Sequence, residues 1–150
     1  MRPRRQSRRQ APNPKTQIPS NIQTQIPKPT VNDGSPKPRD LEERTFLFAQ
    51  SIRTFVKELP RTIGNTEDAR QLVRASGSVA ANWIEADEAL SKKDFLMRAK
   101  ICRKEAKESR LFLRLIDVTS NSIDRRDVLA AEARELTLIF SAIISKSSGS

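Results

Sequence analysis

Phe95, Ala99, Cys102, Ala106, Ser109, Leu113 and Ile116 follow one another at alternating spacings of four and three without a miss. That repeat belongs to a helix whose one side lies in a bundle seam, and it assigns residues 91–116 to one long amphipathic helix. Ser91 and Asp94 form its opening capping pair. A single apolar stripe cannot bury itself, so other helices must cover it.

Three further segments qualify. Asp40, with Glu43 three residues on, opens a helix over 40–59 whose inner side is Leu41, Phe48, Ile52, Phe55, Val56 and Leu59, and Pro60 stops it. Gly64 and Asn65 mark a turn. Thr66 then caps a helix over 66–90, with Glu67 and Asp68 where the helix dipole favours negative charge. Its inner side reads Ala69, Leu72, Val73, Ser76, Val79, Ala80, Trp83 and Ile84, many of them small enough for close helix approach. Gly77 within it costs about 1 kcal/mol relative to Ala, which marks either a close neighbour at the backbone or simple tolerance. The fourth helix is expected over 124–145, with Leu129, Glu132, Leu136, Ile139, Phe140 and Ile143 inward, and 147–150 is expected to fray. With almost no strand signal, the fold class is all-α: an antiparallel up-down-up-down four-helix bundle over 40–146. Leu111, Phe112 and Leu115 fall off the main seam, and either widen the core stripe or cover a bundle end or a second protomer.

Residues 1–39 are of another kind. They hold eight of the nine prolines and nine Lys or Arg against Asp33 alone, a balance of +8 within a whole-chain +10. Ile18, Ile22, Ile26 and Val31 are too few and too interrupted to offset the entropy of ordering, so this tail is expected to be disordered. Its Arg-rich start shares features with organelle transit peptides, yet Pro3, Pro12, Pro14 and Pro19 would break the amphipathic helix those form.

Catalysis has little to work with. The chain has no His and no Tyr, which removes the commonest general base and imidazole ligand, and Glu85, Asp87 and Glu88 have no His to complete a di-iron set. Neither a phosphate-binding Gly loop nor zinc-type Cys spacing is present. The reading is therefore no enzyme, no cofactor and no small-molecule substrate. Cys102, the only cysteine, sits on the seam as a small apolar residue, and its solitude fits a reducing cytoplasm. No apolar run reaches the length of a membrane span.

Positive charge is the remaining signal. The third helix carries nine Lys or Arg against three acids. Lys100, Arg103, Lys107, Arg110 and Arg114 repeat the seam shifted by one residue, about 100° around the helix, and Lys92 and Lys93 stand at its start. A stripe of this kind can follow a phosphate backbone, and the Arg-rich tail can add counterion release. It carries no aromatic array for base stacking. The alternatives are a solvated face paired with the acidic first and second helices, or a protein scaffold whose charge serves solubility.

The stretch from Arg70 to Ala86, with Ala-Asn-x-x-Glu-Ala at Ala81 to Ala86, the Ser-x-Lys-Asp-Phe opening at Ser91 to Phe95, and Lys100 to Arg110, resembles the bacterial four-helix bundle proteins known as 23S rRNA intervening-sequence proteins. The resemblance covers about Leu41 to Ile143 and leaves the tail outside. It implies an antiparallel bundle assembled as a homo-oligomeric ring, typically a pentamer, without catalytic activity. Relatives of that family include the accessory variability determinant of diversity-generating retroelements, which implies RNA or DNA and a reverse transcriptase as partner classes. Asn82 and Glu85, within the matched motif, share a face of the second helix and are expected to satisfy each other or a backbone group at a helix contact. The sequence departs from many relatives at Ala80, where Ile or Val followed by Pro is common nearby.

Overall fold

Four helices account for most of residues 38–149, the residues that the computed structural model describes: α1 (Pro38–Val56), α2 (Ile63–Asp87), α3 (Lys92–Leu115) and α4 (Ile123–Ser148), with a 3-10 turn at Ser120–Ser122 leading into α4. The expected tail disorder concerns residues outside the described ones, apart from Pro38 and Arg39. Among the described residues there is no strand. Successive helices run antiparallel, α2 and α3 and then α3 and α4 making the closest pairs, while α1 lies on α2 and meets α4 more loosely.

The helix ends follow local chemistry and shift several expected boundaries. α1 begins at Pro38 rather than Asp40, which places Asp40 in the first turn instead of at the cap. A proline opens a helix without loss, because its missing N–H is one a helix start leaves unpaired. α1 ends at Val56 rather than Leu59. The residue before a proline avoids helical backbone, and the chain ahead of Pro60 tightens into bonds from Glu58 N to Phe55 O and Leu59 N to Val56 O. α2 begins three residues earlier than expected. Thr62, not Thr66, is its cap, accepting from Asn65 N at 3.1 Å, so Gly64 and Asn65 belong to the first turn. Ser91 caps α3 as expected, accepting from Asp94 N. α4 continues to Ser148 where fraying was expected from 147, because Ser148 Oγ donates to Ile144 O and Gly149 N to Ser145 O.

The seam of α3 is buried from Ala99 to Ile116, together with Phe48, Ile52 and Phe55 of α1, Leu72, Val79 and Trp83 of α2, and Leu129, Leu136 and Phe140 of α4. Trp83 ties three helices together, its ring 6.1 Å from Phe95 in an edge arrangement and 5.8 Å from Phe140. Ile84, expected inward, is 43 % exposed. It is one residue from Trp83 and so about 100° away, and the larger ring takes the interior.

Polar groups also knit the bundle. Arg44 of α1 donates through Nε and Nη2 to both carboxylate oxygens of Glu132 on α4, the closest contact being 2.5 Å, with both residues buried. Arg125 at the start of α4 donates to Glu58 in the turn after α1. Asn65 latches two loops: its Nδ2 donates to Pro60 O and Asp117 O, each at 2.9 Å, and its Oδ1 accepts from Asp117 N at 3.0 Å. Against Gly77 lies the Arg53 guanidinium, whose Nη2 is 3.0 Å from where a Cβ would stand. A close neighbour is present there, but it is the end of a flexible side chain.

Candidate binding surface on the third helix

Because Ala99, Cys102, Ala106, Ser109, Leu113 and Ile116 face the core, helix geometry fixes where the shifted set goes. Lys100, Lys107, Arg110 and Arg114 are exposed and Arg103 is half-buried. Lys93 is exposed, and at seven residues before Lys100 it lies nearly in line with the row, extending it to ~31 Å along the axis at ~1.5 Å per residue. Lys92, also exposed, is one residue off that line and flanks instead a shallow depression of ≈ 510 Å³ by the α2–α3 turn, lined by Ala86, Leu90 and Phe95.

Four other charges of α3 are engaged. Arg98 donates to Asn82 Oδ1 at 3.0 Å, Lys104 lies 3.9 Å from Glu108, and Arg74 of α2 reaches Glu108 at 3.5 Å and Glu105 at 3.9 Å. Among the described residues no carboxylate pairs with Lys100, Arg103, Lys107, Arg110 or Arg114. The acidic first and second helices do not neutralise the row. Like charges three and four apart on one helix cost roughly 0.2–0.5 kcal/mol a pair, a cost that no internal partner offsets here.

Asn82 and Glu85 do not satisfy each other. Asn82 Nδ2 donates to Ser78 O and Ser78 Oγ, and its Oδ1 accepts from Arg98 across the α2–α3 contact, while Glu85 is exposed. A cationic donor on the facing helix is the stronger partner for the amide oxygen. Asn82 is thus a helix-to-helix bond, and Glu85 is a surface charge.

Two ionisable groups lie inside. Burial pushes the Cys102 thiol up to about 12, and its Sγ sits 3.5 Å from Val79 O. Glu105, buried on α3, has a carboxyl pushed up first by burial and then by Glu108, with Arg74 opposing, and its Oε2 has no hydrogen-bond partner among the described residues. Burial likewise raises the Glu132 carboxyl, against the lowering effect of Arg44.

Beside the row, α3 and α4 enclose a groove of ≈ 340 Å³ lined by Lys107, Arg110, Leu111, Arg114, Arg134 and Leu138, among others. Sequence reading missed Arg134 and Leu138. Both sit on a helix whose charges balance, and only the packing of α4 on α3 brings them beside the row. Phe112 packs against the core, as a widened stripe requires, whereas Leu111 and Leu115 are 48 % and 55 % exposed.

No helix among the described residues is long and apolar enough to cross a membrane. No family model matches the chain, and no curated protein matches it. Among solved structures the bundle is similar to a protein of unknown function from the S23 ribosomal protein family of Bacteroides thetaiotaomicron, at a TM-score of 0.63 and 24 % identity, over 72 % of this chain and 97 % of that one. The four-helix fold is therefore one that a member of the S23 ribosomal protein family also adopts.

Proposed function

We propose that this chain is a non-enzymatic binding module that lays the cationic row of α3 along a nucleic-acid phosphate backbone. The observation that carries the reading is the row itself: five cations on one accessible side of a rigid helix, none paired with a carboxylate among the described residues. Phosphate contacts of this kind release counterions and bind without reading sequence. The Arg-rich segment before the bundle adds cations. Assembly as a homo-oligomer, which the resemblance to intervening-sequence proteins implies, multiplies the rows and raises avidity. A nucleic-acid enzyme such as a reverse transcriptase is a partner class of the same reading, and the reducing cytoplasm is its compartment.

Filter binding of duplex RNA and duplex DNA across a salt series tests this. With five phosphate contacts from the row, log affinity for duplex DNA falls against log salt with a slope of about −4.5. Weak binding that stays flat even in low salt rejects the reading.

A second reading, a ring that scaffolds a protein partner, draws on the half-exposed Leu111, Leu115 and Leu138 and on the near neutrality of residues 40–150. Affinity capture that returns nucleic acid and no stoichiometric protein counts against it.

A further inference from the structure

Helix rotation sets the shape of the groove between α3 and α4. Arg110 stands about 40° from buried Ala106 and about 60° from buried Leu113 around α3, and Thr137 stands likewise between Ala133 and Phe140 on α4. Both flank the buried faces and lie low in the groove, whereas Leu111 and Leu138, each one residue on, turn outward as its crests, 48 % and 50 % exposed. Lys107, Arg114 and Arg134 complete the lining. Thr137 Oγ1 donates to Ala133 O at 2.8 Å, so the open donors belong to one Lys and three Arg. No acidic residue lines the groove, and no carboxylate pairs with any of the four cations among the described residues.

We infer that this groove is a binding site for a terminal phosphate group, a phosphomonoester or pyrophosphate, and not for the diester inside a strand. Elsewhere along the row the cations come from one helix and stand in a line, whereas here two helices bring four of them to one concavity of ≈ 340 Å³, a size at the lower end of small-ligand pockets. A cleft lined by one sign of charge focuses its potential on what enters it. A terminal phosphate carries about −1.5 to −2 at neutral pH on three acceptor oxygens, against a single charge on a backbone diester, so it draws more from the four cations. Guanidinium forks match those oxygens bidentately. No aromatic side chain lines the groove to stack a base, so the group is held without regard to what it is attached to. Such a phosphate comes either from the end of a nucleic-acid strand or from a free anion. The strand end rests on the nucleic-acid reading above, whose row shares Lys107, Arg110 and Arg114; the anion site does not.

Pyrophosphate alone, titrated into the full chain by calorimetry, tests the site itself. Arg134 lies outside the row, so Arg134→Gln separates site from row. One pyrophosphate per chain is expected, bound at least about tenfold more weakly by Arg134→Gln, whose thermal melt is unchanged. The second arm compares two fluorescent single strands of one sequence, with a 5′-phosphate or a 5′-hydroxyl, at fixed salt. If a strand end is the source, the phosphate tightens binding at least about tenfold in the native chain and not in Arg134→Gln, while both chains bind 5′-hydroxyl duplex DNA with the same salt slope. Equal binding of the two strands together with tight pyrophosphate assigns the site to a free anion. No pyrophosphate binding overturns the proposal, as does binding that Arg134→Gln leaves intact. Citrate bound as tightly as pyrophosphate also overturns it, since charge alone then explains the contact. Pyrophosphate bound by a chain that ignores duplex nucleic acid sinks the row reading and leaves the site standing.

Discussion

The arginines of this bundle fall into two groups that sequence composition does not separate. Arg44 and Arg125, where α4 meets α1 and the turn after it, are buried and paired with Glu132 and Glu58, whereas Arg110 and Arg114 on α3 stand exposed with no acid beside them. The first group holds helices together. The second makes no ion pair within the fold, and its like charges repel along α3, although Arg114 in the last turn meets the helix dipole favourably. Charge in an amphipathic helix is therefore structural or available according to which side of the seam it occupies, and each substitution below tests that division.

The largest effect is expected at the seam that defines the sides. Leu113 is fully buried, so Leu113→Asp places an unpaired carboxylate in the core and destabilises the bundle by about 4–5 kcal/mol. An unchanged thermal melt would mean that the seam does not face inward and that the division has no basis. Glu132→Ala comes next. It strands the buried Arg44 guanidinium, a loss of about 3–5 kcal/mol in chemical denaturation, while replacing both partners with apolar residues of similar size recovers most of it. A loss below about 0.5 kcal/mol would put Arg44 with the surface arginines.

Asn65 shows what a neutral group does in the same structural role. Asn65→Ala removes three hydrogen bonds to Pro60 and Asp117, leaves buried loop groups unpaired and costs about 2–3 kcal/mol. Hydrogen exchange should show both loops opening together in that variant, and protection retained in the 116–119 loop would show that the latch is dispensable.

Glu105 is an acid of α3 on the wrong side of the division. Its folded pKa lies above its ordinary value of 4.5 because of burial and Glu108. A carboxyl raised on folding favours the folded state while protonated, so its contribution is most favourable below the ordinary value and is lost as pH climbs through the raised one. Glu105→Gln removes that slope, so the variant gains stability relative to the native chain as pH rises from acid toward neutral. Melts of the native chain and the variant that run parallel from pH 4 to pH 8 would rule this out.

Much of this was legible in the residues, and what was not has specific causes. The α3 seam was readable because small and branched side chains mark it at every turn, and the seam fixed the exposed row by rotation alone. Ile84 was misplaced because Trp83 beside it competes for the same interior. The α2 start was misplaced because Thr62 and Thr66 are equally good caps in isolation, and only the Asn65 bonds to Pro60 and Asp117 choose between them. Of the two partners expected for Asn82, the backbone is met by Ser78 O and Glu85 is not, and Arg98 was not foreseen because it is 16 residues away in sequence and adjacent only across the helix contact. Arg134 and Leu138 reach the groove by the packing of α4 on α3, which periodicity within one helix does not encode.

The smallest expected change in stability is the one that bears most on function. Lys107→Ala/Arg110→Ala takes two exposed cations from the row, and its melt should shift by less than about 0.5 kcal/mol, or rise slightly as like-charge repulsion falls. The same variant should weaken duplex RNA and duplex DNA alike and reduce the magnitude of the salt slope by about 2, one unit for each lost phosphate contact. Arg44→Ala gives the opposite pairing of outcomes: a large loss of stability, and a salt slope that is unchanged wherever the chain remains folded. If Lys107→Ala/Arg110→Ala melts early, those side chains are engaged in the fold after all. If it melts normally and binds with the native slope, the row is a solvated face and the contact with nucleic acid lies elsewhere in the chain.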